Sequence, residues 1–134
     1  MQLNITTDYA IRIVFYLATE GGIASSKEIC EKTGVPQNYV AKINRNLTKA
    51  GITQTHVGVL GGFSLAKAPE NISLLDIINT MENKTKINQC LEEGHHCSQS
   101  AMGSCPVRKF YCSLQKEMDE KMSSITMKRL IENS

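Results

Sequence analysis

The sequence predicts a mainly α fold, a winged helix-turn-helix with a two-stranded wing and a long helix near the C-terminus. Three observations predict it. Apolar side chains recur at helical spacing through residues 5–50, punctuated by Gly21-Gly22, Gly34 and Gly51. Two β-like segments around a glycine-rich connection follow directly. Pro106 then opens a second long amphipathic stretch.

Taken in order, Ile5 to Ala18 places Tyr9, Ala10, Ile13, Val14 and Leu17 on one helical stripe, with Thr7 or Asp8 serving in the first turn. Ser25-Ser26-Lys27-Glu28 has the spacing of a capping box and starts a short helix from about Ser26 to Lys32. Gly34 stops that helix. Pro36, suited to a first helical position, leads into a third helix with Tyr39, Val40, Ile43, Leu47 and Ala50 as its apolar stripe. Helix, short glycine-bearing turn and helix form the helix-turn-helix pattern. Ile52–Val57 and Phe63–Lys67 are the expected wing strands, with residues 58–62 at the hairpin tip. Asn71 to Met81 is expected as an amphipathic helix with a capping box at Ser73 and Asp76. The helix from Pro106 to about Ser123 aligns Phe110, Leu114, Met118 and Met122, and Thr126 can cap a last short helix, Met127 to Glu132.

A chain of 134 residues with 41% hydrophobic content is one domain's worth of core, here without tryptophan. The expected division is a winged helix-turn-helix DNA-binding domain over 1–82, a cysteine-bearing loop over 83–106, and a dimerisation helix with the C-terminal helix over 107–134. The opening Met1–Ala10 is too polar for a signal peptide, and the longest apolar run, Ile13 to Ala18, is too short to span a bilayer. A cytoplasmic location is therefore expected, with no membrane partner. There thiols stay reduced, so five cysteines point to metal or redox chemistry rather than disulfides.

The formal net charge of +2 predicts no partner, but its distribution does. From Lys32 to Pro69 there is no Asp or Glu, while Lys32, Lys42, Arg45, Lys49 and Lys67 are all basic. Such a window is the footprint of a phosphate-binding surface. In the third helix, Gln37, Asn38 and Tyr39 can hydrogen-bond base edges or phosphates, and Asn or Gln can pair with adenine at two points. Lys42, Arg45 and Lys49 can neutralise backbone charge. Gly61 and Gly62 in the wing can approach a phosphate or the minor groove closely. The expected partner is a double-stranded DNA operator. The stripe on the long helix suits a homodimer, since two-fold proteins read two half-sites. Packing of that stripe onto its own domain is the alternative.

Four cysteines, Cys90, Cys97, Cys105 and Cys112, fall close together, and Cys90 to Cys105 reads as loop. Their spacing is not the C-x₂-C of structural zinc, and the wider gaps suit an iron–sulfur cluster. Zinc stays open, with His95 and His96 as available ligands. Cys112 falls inside the long helix, as a buried or idle thiol, and Cys30 in the second helix is expected as a small core residue. An enzyme is not expected: there is no C-x-x-C, no glycine-rich phosphate loop and no recognisable pair of carboxylates.

Several motifs together resemble the bacterial family of winged-helix repressors that includes the iron–sulfur regulator IscR and the nitric-oxide sensor NsrR. They are Thr7-Asp8-Tyr9-Ala10-Ile11-Arg12, Thr33-Gly34-Val35, Tyr39, Leu47-x-Lys49-Ala50-Gly51-Ile52 and Gly61-Gly62-Phe63-Ser64-Leu65, with a three-cysteine loop before a long helix. The resemblance implies that Cys90, Cys97 and Cys105 hold an iron–sulfur cluster and that the long helix makes the dimer. One branch uses a histidine three residues after the last loop cysteine, where this chain has Arg108, which cannot ligate. The other branch uses an aspartate of the partner's first helix, and Asp8 stands at that place. By resemblance the ligand set is therefore Cys90, Cys97, Cys105 and Asp8, for a [4Fe–4S] cluster in preference to [2Fe–2S]. Cys112, His95 and His96 are rival fourth ligands. The implied function is a repressor that senses nitric oxide, redox or iron–sulfur status; the alternative is a cluster-free repressor answering to a protein or small molecule. The family often carries an arginine before the wing tip, where this chain has Val57 preceded by His56.

Overall fold

The structure is a computed structural model that describes residues 1–99 and 103–134. Three helices build its first part: α1 (Ile5–Glu20), α2 (Ser26–Thr33) and α3 (Gln37–Lys49). The predicted stripes form the core: Ile13 and Val14 of α1 and Val40, Ile43 and Leu47 of α3 are buried against one another. Ala50, expected on the α3 stripe, is instead exposed, because it lies past the last helical turn as the C-cap. Cys30 is only half-buried, since one face of α2 remains open. Gly34 adopts the left-handed conformation (φ 75°) that lets the chain reverse between α2 and α3.

Caps explain where the helices start, and two differ from expectation. Ser25 accepts from the Glu28 backbone N–H at 3.1 Å, but Glu28 does not complete a box. Its carboxylate instead accepts from the Tyr16 hydroxyl at 2.7 Å. That carboxylate and burial push the Tyr16 phenol up to about 12. Pro36 stands at the N-cap of α3 rather than at its first helical position.

The wing consists of β1 (Thr53–His56) and β2 (Gly62–Leu65), antiparallel, with Thr53 opposite Leu65 and His56 opposite Gly62. Both strands are shorter than the alternation predicts. Ala24 pairs with Phe63, exchanging backbone hydrogen bonds of 2.9 and 2.8 Å, so the loop before α2 braces the base of the wing. Gly62 makes that approach possible, because a Cβ there would collide with the Ala24 carbonyl.

After a 3₁₀ turn at Pro69–Asn71, α4 (Leu74–Met81) begins three residues later than expected. Its capping box is complete: Ser73 Oγ accepts from Asp76 N and Asp76 Oδ2 from Ser73 N. The long helix α5 (Pro106–Ser124) packs against α4, and α6 (Met127–Glu132) returns to α1. Thr126 caps α6 by accepting from Arg129 N. Met127 is fully buried in the core, and its amide donates to the Ile72 carbonyl at 2.9 Å. No helix among the described residues is long and apolar enough to cross a membrane.

Candidate DNA interface and cysteine loop

Helical spacing puts Asn38, Lys42, Arg45 and Lys49 on one side of α3, and all four are exposed, as is Gln37. The opposite side carries Val40, Ile43, Asn44 and Leu47 into the core. A basic, hydrogen-bonding face is thus presented on a helix fixed from behind by apolar packing. Tyr39 behaves differently. It is half-buried, and its ring meets that of Tyr9 edge-on at 5.5 Å. Sequence reasoning did not find Asn44, which is fully buried; its Nδ2 donates to the Val40 carbonyl at 3.2 Å and its Oδ1 has no partner among the described residues. Gly61 and Gly62 serve the hairpin itself. A side chain at Gly61 would run into the carbonyls of His56 and Gly58, and one at Gly62 into Ala24.

Asp8 lies in the first turn of α1 and pairs with Arg12 at 2.8 Å. Arg12 also stacks over the Tyr9 ring at 5.7 Å and donates to the Thr33 carbonyl at 3.4 Å, in the turn that leads to α3. Asp8, Tyr9 and Arg12 therefore form a junction between the start of α1 and the helix-turn-helix. The start of α1 is held from a distance: Glu82 accepts from Asn4 N at 2.7 Å, Asn4 Nδ2 at 2.8 Å and Thr7 Oγ1 at 2.8 Å. A carboxylate at that end also complements the helix dipole.

Cys90, Cys97 and Cys105 are half-buried, and Cys112 is exposed on α5 rather than buried. Residues 100–102 of the cysteine loop lie outside the described residues. Among the described residues, no three His, Cys, Asp or Glu side chains gather closely enough to hold a metal ion. Cys90 is anchored through both its side chain and its backbone. Its Sγ accepts from Asn88 Nδ2 at 3.3 Å, and its carbonyl accepts from Arg108 Nε at 3.2 Å. Arg108, unable to ligate, ties the loop to α5.

Gln115 is the other tie, and nothing local in the sequence marks it. It is buried on α5, where its Oε1 accepts from Ile87 N at 2.8 Å. Its Nε2 donates to the Thr85 carbonyl at 3.1 Å and to Asp119 Oδ1 at 2.9 Å. The side chain serves the incoming loop as a strand neighbour would. Of the long-helix stripe, Leu114 and Met122 are half-buried, while Phe110 is 63% and Met118 36% exposed.

A helix-turn-helix with a basic helix face, a braced wing and a cysteine loop before a long helix defines a winged-helix transcriptional regulator. Residues 3–133 match the Rrf2 family, described as an iron-dependent transcriptional regulator, and the chain belongs to that family. It is a family of regulators, not of enzymes. The chain is 32% identical to an HTH-type transcriptional regulator of Aquifex aeolicus over 98% of its own length and 92% of the relative's. It is 28% identical to the HTH-type transcriptional regulator NsrR of Bacillus licheniformis, over 92% and 82% of the two chains. Its fold is similar to the solved structures of IscR from T. potens (TM-score 0.77, 24% identity, 99% and 88% covered) and of CymR, the global cysteine regulator of B. subtilis (TM-score 0.79, 20% identity, 100% and 98% covered).

Proposed function

We propose that this chain is a cytoplasmic, homodimeric repressor whose affinity for a DNA operator is set by an iron–sulfur cluster on Cys90, Cys97 and Cys105, with Asp8 of the partner subunit as fourth ligand. Gln37, Asn38 and Tyr39 read or position the DNA, and Lys42, Arg45 and Lys49 neutralise phosphates, with the wing glycines 61 and 62 shaping the second contact. The donor chemistry fits. Three half-buried cysteines share one segment, and the Cys90 sulfur already accepts an amide hydrogen bond, as cluster sulfurs do. When bound, a cluster of this kind, [4Fe–4S] in preference to [2Fe–2S], supplies a centre that reacts with nitric oxide or oxidants. The exposed Phe110 and Met118 on α5 support pairing with a second copy.

One observation carries the reading. Asp8 sits beside Tyr9, which packs on Tyr39 of α3, and its partner Arg12 reaches the turn before α3. Whatever draws Asp8 away from Arg12 alters the support of the recognition helix. The two halves of the mechanism, signal and DNA contact, thus meet in one turn of α1.

The test is anaerobic purification of the wild type and Asp8→Ala, with iron and sulfide analysis, an absorbance spectrum and operator titration. The wild type should carry iron and sulfide, and Asp8→Ala should lose the cluster faster and bind the operator differently. An Asp8→Ala protein unchanged in all three respects would remove the cross-subunit ligand. A second reading, a cluster-free repressor answering to a protein or small molecule, draws on the Asp8–Arg12 pair and on the dispersed donors among the described residues. It predicts a colourless, iron-free protein that still binds its operator tightly.

A further inference from the structure

The tip of the wing is the most exposed apolar cluster among the described residues. Val57, Val59 and Leu60 are 94%, 103% and 89% exposed. Val59 and Leu60 occupy the two central positions of a turn closed by the Gly61 amide donating to the Gly58 carbonyl at 3.0 Å. Such positions normally take Gly, Pro, Asn or Asp, which suit the turn and hydrate well. Branched apolar side chains there give the fold nothing, since they touch no core residue.

The tip is also held in shape. Gly61 and Gly62 admit no side chain, the Ala24–Phe63 pair braces the base, and His56 Nε2 and Ser64 Oγ hydrogen-bond across the strands at 2.7 Å. A rigid protrusion loses little conformational freedom when it docks. Its surroundings indicate what it docks on. The hairpin follows α3 directly, with the Ile52 amide bonded to the Leu47 carbonyl, and lies inside the acid-free window from Lys32 to Pro69. An apolar point within a basic face matches a polyanion that hides apolar surface, which describes stacked bases behind phosphates.

We propose that Val59 and Leu60 form an apolar wedge that enters the minor groove beside the half-site read by α3, partly unstacks one base step and kinks the duplex. Apolar side chains inserted in this way act by unstacking rather than by charge. The wedge would favour pyrimidine–purine steps, which unstack most easily. The inference rests on the DNA-binding reading above and adds to it a contact that salt does not screen.

The experiment uses the full chain, purified anaerobically, and as probe the tightest duplex of about 30 base pairs selected in vitro from a random library, a length over which bending is measurable. Binding is titrated across a salt series, and bending is read by energy transfer between end labels. Replacing both tip residues, Val59→Ser with Leu60→Ser, should weaken binding about tenfold or more, the scale of exposing apolar side chains. It should leave the salt slope unchanged and straighten the duplex, whereas Lys42→Ala should make the slope shallower by about 0.9. Leu60→Met, still a wedge, should keep the bend. A double variant that binds and bends DNA like the wild type overturns the proposal, as does one whose only change is in self-association. Failure of the wild type to select any duplex overturns the DNA-binding reading and the wedge with it.

Discussion

In the winged unit, α1, α3, α4 and α6 each send side chains to full burial, and Ile13, Ile43, Ile77 and Met127 meet in one core. Between residues 83 and 105, by contrast, no described residue is buried. The Gln115 and Arg108 side chains tie that segment to α5 through hydrogen bonds to the backbone of Thr85, Ile87 and Cys90. The difference separates two duties. Apolar packing resists displacement everywhere at once, whereas a few polar ties can be broken locally without unfolding the rest. On the proposed reading, a loop that rearranges round a ligand belongs in the second regime, and a helix that meets DNA in one geometry belongs in the first.

Variants can test that contrast, beginning with the core. Ile13→Ala should cost about 2–5 kcal/mol of global stability, measured by urea unfolding, because it leaves a cavity between α1 and α3. A loss well below that range would mean that the winged unit is looser than its burial implies. Gln115→Ala should act locally: exchange protection at the Ile87 amide should fall by about 1–3 kcal/mol, the scale of a lost partner. If the unfolding midpoint fell as far as for Ile13→Ala, the loop would be part of the core after all.

A pH titration addresses a polar tie inside the winged unit. The Tyr16 phenol, raised from 10.0 to about 12 by Glu28 and burial, should titrate later than an ordinary tyrosine in an ultraviolet absorbance titration. Folding favours the neutral phenol, so the contribution of this pair is fully present below pH 10.0 and is lost as pH rises through about 12. Glu28→Gln should return the titration towards 10.0. The smallest effect is expected from Cys112→Ser. Its thiol is exposed on α5, so stability should move by no more than about 0.5 kcal/mol and iron content should not change. Loss of iron in this variant would point to Cys112, in place of the proposed Asp8, as the fourth ligand.

Much of the winged unit was legible in the sequence. The stripes of α1 and α3, the cap residues Ser25, Ser73 and Thr126, and the turn at Gly34 all depend on residues a few positions apart. Expectation failed for two different reasons. Tyr16, a non-local partner, took the Glu28 carboxylate that would have closed a capping box, whereas the late start of α4 has a local cause, the 3₁₀ turn led by Pro69. Gly61 and Gly62 read as points of close approach, and they are, but to the protein's own backbone. The candidate site was legible as a set of residue types. Its supports, Gln115, Glu82 and the Arg108–Cys90 bond, carry no local signature.

By itself, then, the sequence determined the order of helices and wing, the basic face of α3 and the presence of a thiol-rich loop. Periodicity, capping and charge act within a turn or two of helix or along one hairpin, and one chain's order of residues states them completely. Only the tertiary structure decided that Glu82 holds Asn4 and Thr7 at the start of α1 from 78 and 75 residues away, that Met127 completes the core, and that Gln115 holds the loop across 28 and 30 residues. Those pairings arise from which surfaces meet when the apolar stripes pack, and a buried hydrogen-bonding group then takes whichever partner that packing brings within reach.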